Sequence, residues 1–294
     1  MKTAKNIRAG IIGAGKVGTS LAAVLSDNRL LDWVFVRSDL PAKNIKDKTN
    51  FPIKFIQNFS QISGLPEIIF LTVSDNSIEQ VAQSLSIYFE EDLRNHVIAH
   101  CSGSCSISVL ETCKDLGAIT AIAHPYQTFY LPSPALFDDI AWAVHSEGNI
   151  DNLKELIKKT GGKPFEINLN DDSTRGLYHA SAVIASNYMN ILINLAKSFA
   201  DKINLPVDDF LIPILKTTLD NNIRTLKEDG EIPLTGPISR NDTQAVKLHL
   251  NSLNHEPFLK EPYKLLSSAA ANVAFRNGII SEEIMTDFKK IFND

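Results

Sequence analysis

The stretch "IRAGIIGAGKVGTSLAAVL", residues 7–25, decides the fold. An apolar run from Ile7 to Ile12 stops at Gly13, and Gly13, Gly15 and Gly18 follow in the spacing GxGxxG. A helix-forming segment then runs from Lys16 to Leu25. Each glycine has a task where a strand turns into a helix around a diphosphate. The first makes the tight turn, the second lets the pyrophosphate approach the backbone, and the third lets helix and strand pack closely. Unpaired amides and the dipole at the helix N-terminus favour a phosphate. Gly13, Ala14, Gly15, Lys16, Val17 and Gly18 are therefore candidate cofactor-binding residues.

About twenty residues further on comes "DWVFVRSD", residues 32–39. A strand at this place usually ends in a carboxylate that grips the adenosine ribose diol. Arg37 and Ser38 stand there instead. A guanidinium suits a 2′-phosphate and can stack on adenine, and a serine hydroxyl adds a donor. This favours NADP(H) over NAD(H). The other reading leaves Arg37 solvated and lets Asp39 reach the ribose in the NAD manner.

The first half continues as short apolar runs alternating with amphipathic segments. Strands are expected at 7–12, 33–36, 53–56, 67–73, 96–100, 119–123, 141–145 and 163–167, with helices at 16–25, 76–85 and around 107–116. Nearly continuous apolar strands separated by helices indicate a mainly parallel sheet covered on both faces, a doubly wound α/β domain of the Rossmann type. After the polar "NLNDDSTR" the pattern changes. Asp171 or Asp172 is a candidate cap, and Leu177, Ile184, Tyr188, Ile191, Leu195 and Phe199 recur at helical spacing. That predicts one helix of about thirty residues, followed by helices at 208–227, 242–253, 259–276 and 281–292. The expected division is a dinucleotide-binding domain over 1–168 and an all-helical domain, led by the long helix, over 169–294.

With 294 residues, 44% hydrophobic and 21% charged, the chain has the composition of a globular enzyme. A net charge of −5 argues against nucleic acid as a partner. No apolar run approaches a membrane span. The basic, then apolar start is broken by Gly10, Gly13, Gly15 and Gly18 and lacks a cleavage site, so a cytoplasmic location is expected. Cys101, Cys105 and Cys113 form an odd set suited to a reducing compartment. Cys101, Cys105 and His100 have no second ligand pair at zinc spacing, and no metal is expected.

In an open parallel sheet, ligands bind beyond the carboxyl ends of the strands. Thr72, Val73, Ser74 and Asp75 follow the fourth strand, and "HCSGS" (100–104) follows the fifth. Val73, Ser74, Asp75 and Ser102 are taken as further cofactor contacts, with helix capping as the other reading of these serines and aspartates. His124, held by Pro125, is a candidate acid–base group, and a hydrogen-bonded histidine at a domain junction is the alternative. On the long helix, His179 and Asn187 lie near one face with Ala182, Val183 and Ser186. In "LTGPISRND", residues 234–242, Arg240 stands before a helix start at Asn241 or Asp242 and can receive a carboxylate. An ordinary loop with a surface arginine fits the same residues. His124, His179, Asn187 and Arg240 are the catalytic candidates.

Together "GAGKVG", "LTVSDNSI", "HCSGS", "HPYQTF", "YHASAVIASNY" and "LTGPISRNDTQAV" resemble a family of candidate oxidoreductases that join a Rossmann-like domain to a C-terminal domain of unknown function. The layout is also similar to pyrroline-5-carboxylate reductase, prephenate dehydrogenase and the 3-hydroxyacid dehydrogenases. The resemblance implies NADP(H), a homodimer through the C-terminal helices and a substrate cleft between the domains. The hydroxyacid dehydrogenases place a catalytic lysine a few residues before an asparagine on this helix. Here Asn187 follows Val183 and His179, and Lys197 comes after it, so the resemblance stops short of that lysine. The expected activity is hydride transfer to or from a small carbonyl, imine or hydroxy acid, with a carboxylate on the substrate. A non-catalytic NADP(H) sensor and a deazaflavin-dependent NADP reductase are the alternatives.

Overall fold

In the computed structural model, which describes residues 7–38, 51–228, 230–231 and 234–293, the alternating runs become one eight-stranded sheet. The strands are β1 (Ala9–Ile12), β2 (Leu31–Phe35), β3 (Phe55–Ile56), β4 (Ile68–Leu71), β5 (Val97–His100), β6 (Ile119–Pro125), β7 (Ala141–Ser146) and β8 (Lys163–Glu166). Their order is β3-β2-β1-β4-β5-β6-β7-β8. All neighbours are parallel except β6 and β7, which pair antiparallel with His124 opposite Ala143. Strand order reverses between β1 and β4, and there a crevice opens at the carboxyl ends.

The sheet is buried on both sides because successive side chains point to opposite faces. Ala9, Ile11, Ile68, Phe70, Val97 and Ala99 pack on one face, in a core that includes Leu21 and Leu25 of α1 (Lys16–Asp27). Ile12, Ile69, Leu71 and Ile98 pack on the other, against Ile78, Ala82 and Leu85 of α2 (Asp75–Phe89). The expected helix near 107–116 is a 3-10 turn, Ile107–Leu110, that runs into the short α3 (Glu111–Asp115). The sequence reading leaves 146–162 unassigned. The structure forms α4 (Asp151–Lys159) there, anchored by Leu153, Leu156 and Ile157 on one face.

The expected uninterrupted helix is corrected. It consists of α5 (Asp172–Val183), a π-helical segment Ile184–Tyr188, and α6 (Met189–Lys202). Asp171 caps α5 by accepting from Thr174 N–H at 2.7 Å. A π turn inserts one extra residue, so Ser186 and Asn187 are carried round the axis relative to an α-helical count from His179.

Two compact units are present, Met1–Tyr188 and Met189–Asp294, where the sequence pattern placed a border at 168/169. In the second unit α6 is followed by α7 (Ile212–Lys227), α8 (Thr243–Ser252), α9 (Pro257–Arg276) and α10 (Glu282–Asn293). Its core gathers Val246, Leu250, Ala271, Ala274, Met285 and Phe288. Among the described residues, no helix is long and apolar enough to cross a membrane.

Gly18 holds the β1–α1 junction closed. A Cβ there would lie 2.1 Å from the Gly13 carbonyl oxygen and 2.4 Å from Thr72 Oγ1. Gly18→Ala is expected to cost about 1–3 kcal/mol of overpacking, read as a lower urea midpoint.

Candidate functional site

The glycine loop forms one wall of a cavity of about 550 Å³ at the carboxyl ends of β1 and β4. Gly13 takes a φ of +106°, which favours glycine, and a Cβ on it would also strike Thr72 and Val73. Thr72 Oγ1 donates to the Gly13 carbonyl at 2.7 Å and so fixes the turn to β4. A Cβ on Gly15, by contrast, would meet only Thr72 O, at 3.9 Å. Gly15 also caps α1 without a side-chain hydrogen bond, and the first turn of α1 holds no acidic residue. Its N-terminal amides therefore face an open space with no competing carboxylate, the setting that binds an anion.

Arg37 and Ser38, both exposed, line the same cavity with Gly13, Ala14, Gly15, Val73 and Ser74. Asp39 lies outside the described residues. Ser77, Gln80 and Ser84 of α2 complete a polar side that the sequence reading did not single out. Lys16, Val17, Gly18, Asp75 and Ser102 are not in the lining. Lys16 Nζ sits 5.3 Å over the Tyr130 ring. Val17 is half-buried and Gly18 buried. Ser102 is buried, and its hydroxyl accepts from Ser104 N–H at 3.2 Å and Cys105 N–H at 3.1 Å, which shapes the loop after β5. Asp75 accepts from Ser104 Oγ at 2.8 Å and joins the end of β4 to that loop.

His124 and His179 come together on the β5 loop. His124 stands near the end of β6, within the strand rather than after it. Its Nδ1 is 2.6 Å from Tyr178 Oη, and its ring meets that of His179 nearly edge-on at 6.5 Å. Tyr126 Oη is 2.8 Å from Ser181 Oγ, a second link between the β6 end and α5. Arg175 anchors the same helix: Nε donates to Ser104 O at 3.0 Å, Nη1 to Leu169 O at 2.7 Å, and Nη2 pairs with Asp172. Tyr178 and Arg175 were missed from sequence. A cation close to a helix N-terminus opposes the dipole, and that was the available signal for Arg175. Tyr178 offered none.

Asn187 is exposed in the π segment. Arg240 belongs to the second unit, exposed ahead of α8, whose cap is Asp242 accepting from Ala245 N–H at 2.9 Å. Asn187 does not line the cavity that His179 borders. Among the described residues, no three His, Cys, Asp or Glu side chains gather as a metal site.

Burial lowers His124 to about 4, with the neighbouring His179 acting in the same direction and Asp75 opposing. Burial likewise lowers His100 to about 4. Both rings are neutral at physiological pH. Burial, and then Tyr126, raises the Tyr178 phenol, which keeps its proton.

The comparisons with known proteins bear on the fold. Residues 2–125 match the model of a Rossmann-like domain, and residues 142–270 match that of a domain of unknown function, DUF2520. No curated protein matches it. Among solved structures, a candidate NADP oxidoreductase of Bacteroides fragilis is 22% identical, with a TM-score of 0.73 over 90% of this chain and 98% of that one. A pyrroline-5-carboxylate reductase of Coxiella burnetii is 18% identical, with a TM-score of 0.59 over 92% and 98%. A reductive aminase of Aspergillus terreus, in complex with NADPH and ethyl-5-oxohexanoate, is 13% identical, with a TM-score of 0.59 over 98% and 92%. At these identities the likeness is one of fold.

The buried histidines set a pH dependence. Their folded values lie near 4 and the unfolded value near 6.5, so between these limits the unfolded chain binds more protons. Stability is complete above about pH 6.5 and falls as pH drops toward 4. Urea midpoints measured across this window should decline, and less steeply in His124→Gln.

Proposed function

We propose that the chain is an NADP(H)-dependent oxidoreductase that moves a hydride to or from a small carbonyl, imine or hydroxy-acid substrate. The observation that carries this reading is that Arg37 and Ser38 share one cavity with the glycine loop. The open face of Gly15 and the uncapped first turn of α1 suit a diphosphate. Arg37 and Ser38 would hold a 2′-phosphate, which NAD(H) lacks. The three structural relatives support it through the names they carry.

Bound there, the cofactor supplies or accepts the hydride at its nicotinamide. The chain's own part is alignment and hydrogen bonding. Asp75 and Ser104 tie together the strand ends β4 and β5, and the neutral His124, with His179 next to it, stands beside that junction for exchange with the substrate's polar atom.

Arg37→Ala should weaken NADPH about tenfold to a hundredfold, the loss of one charge-assisted contact of about 1.5–3 kcal/mol, and NADH much less. Calorimetric titration reads both, and equal losses would remove the 2′-phosphate argument. If NADPH binds but no 2-oxo acid, imino acid or 3-oxo acid oxidises it, the protein is a sensor and not a catalyst.

We also assign a homodimer to the second unit. Ile191 and Leu192 on α6, and Ile214, Leu219, Ile223 and Leu226 on α7, are exposed, and α7 buries no residue. Apolar faces on two helices of one chain call for a covering partner, and a second copy supplies one by symmetry. Light scattering should give twice the 32.5 kDa chain mass, and Ile214→Glu with Ile223→Glu should lower it. A monomeric wild type would contradict the assignment.

A further inference from the structure

The first unit carries another cavity, of about 540 Å³, which runs along α5 into the π-helical segment. Small-molecule sites measure about 300–1,000 Å³ and set a few polar groups in a mostly apolar lining. This cavity has that division. Ser104 and Arg175 line one end, His179 follows one turn later, and Ala180, Val183 and Tyr188 line the rest. Counted along the helix, Tyr188 lies roughly 20 Å beyond Arg175. Ile184 and Tyr188, the first and last residues of the π segment, stay 61% and 57% exposed, and π-helical turns recur at functional sites.

Two further observations say what such a cavity can hold. Its polar end adjoins the cofactor cavity. Ser104 Oγ donates to Asp75 at 2.8 Å, and Ser74, the residue before Asp75, lines the cavity of the glycine loop. One hydrogen bond thus joins the two walls. The second observation concerns charge. Among the described residues, Arg175 is the one cation in the lining, and each of its nitrogens is already engaged. Nε donates to Ser104 O, Nη1 to Leu169 O, and Nη2 pairs with Asp172. The lining therefore offers no uncommitted positive charge to an anion.

We infer that this cavity receives the apolar chain of the hydride acceptor, with the reacting carbon at the Ser104 end and the chain running along α5 toward Tyr188. This rests on the oxidoreductase reading above and narrows its substrate to compounds with an aliphatic tail of several carbons. Moving a hydrocarbon chain out of water favours longer tails. A carboxylate at the end of the tail would lose its hydration among Ala180, Val183 and Tyr188 and find no counter-charge.

The test is calorimetric titration of the full-length protein, loaded with NADP+, with pyruvate, 2-oxobutanoate, 2-oxopentanoate and 2-oxohexanoate. The oxidised cofactor carries no hydride to give, so binding alone is read. Each added methylene should tighten binding about fourfold, the equivalent of about 0.8 kcal/mol per buried CH2. The acid 2-oxoglutarate, whose tail ends in a second carboxylate, should bind at least about tenfold more weakly than 2-oxohexanoate. Ala180→Trp, on the exposed side of α5, should remove the dependence on chain length. It should leave NADP+ affinity within about twofold, because the two cavities share no lining residue. Val183→Lys should raise 2-oxoglutarate binding to that of 2-oxohexanoate. The wild-type series decides the matter alone if either variant fails to fold.

Three outcomes overturn the inference. One is a flat chain-length series in wild type, as would follow if a second copy of the chain filled the cavity. The others are 2-oxoglutarate binding as well as 2-oxohexanoate, and a chain-length dependence that survives in folded Ala180→Trp. Titration with NADP+ by itself separates the two readings. Absent cofactor binding sinks the oxidoreductase reading, whereas cofactor binding with a flat series sinks only the inference.

Discussion

The approach of Gly18 to the Gly13 carbonyl, closed by the Thr72 hydroxyl on the same oxygen, is the constraint on which the first unit is built. It joins β1, α1 and β4 at a point where no side chain larger than hydrogen fits. Because α1 lies so close, its first turn opens at the carboxyl end of β1, and the cavity forms between that turn and the end of β2. The fully buried strands β1, β4 and β5 keep the frame rigid. Arg37, one residue past the buried Val36, lies in the lining of that cavity.

A second layer of polar contacts sits on this frame. Asp75 reaches Ser104, Arg175 donates to the carbonyl of the same Ser104, and Tyr178 holds His124. These bonds join the ends of β4, β5 and β6 to α5. His100 Nε2 and His179 Nδ1 are nonetheless left buried without partners. Unsatisfied nitrogens lower stability, and buried neutral histidines lower it further in acid.

Much of the frame was legible in the sequence. The strand–glycine–helix unit, the apolar runs of β4 and β5 and a helix cap at Asp171 or Asp172 all follow from local pattern. So did Arg37, because its place one residue after a strand is a local fact. What escaped reading depends on distant partners or on backbone detail. Tyr178 meets His124 across 54 positions, and nothing near either residue announces the pair. The π segment has the same three- and four-residue spacing as a regular helix, and its extra residue leaves no trace in hydrophobic pattern. The reversal of β7 left one sign: the link from β6 carries only the 3-10 turn Pro134–Phe137, whereas a parallel crossover usually needs a helix.

The account stands on a phosphorylated dinucleotide in the cavity between the glycine loop and Arg37, and a crystal structure of the protein grown with NADPH tests this most directly. It predicts the diphosphate against the amides at the start of α1 and the 2′-phosphate within hydrogen-bonding distance of Arg37 and Ser38. Well-ordered crystals with that cavity empty, or with the nucleotide turned so that Arg37 touches no phosphate, would contradict it.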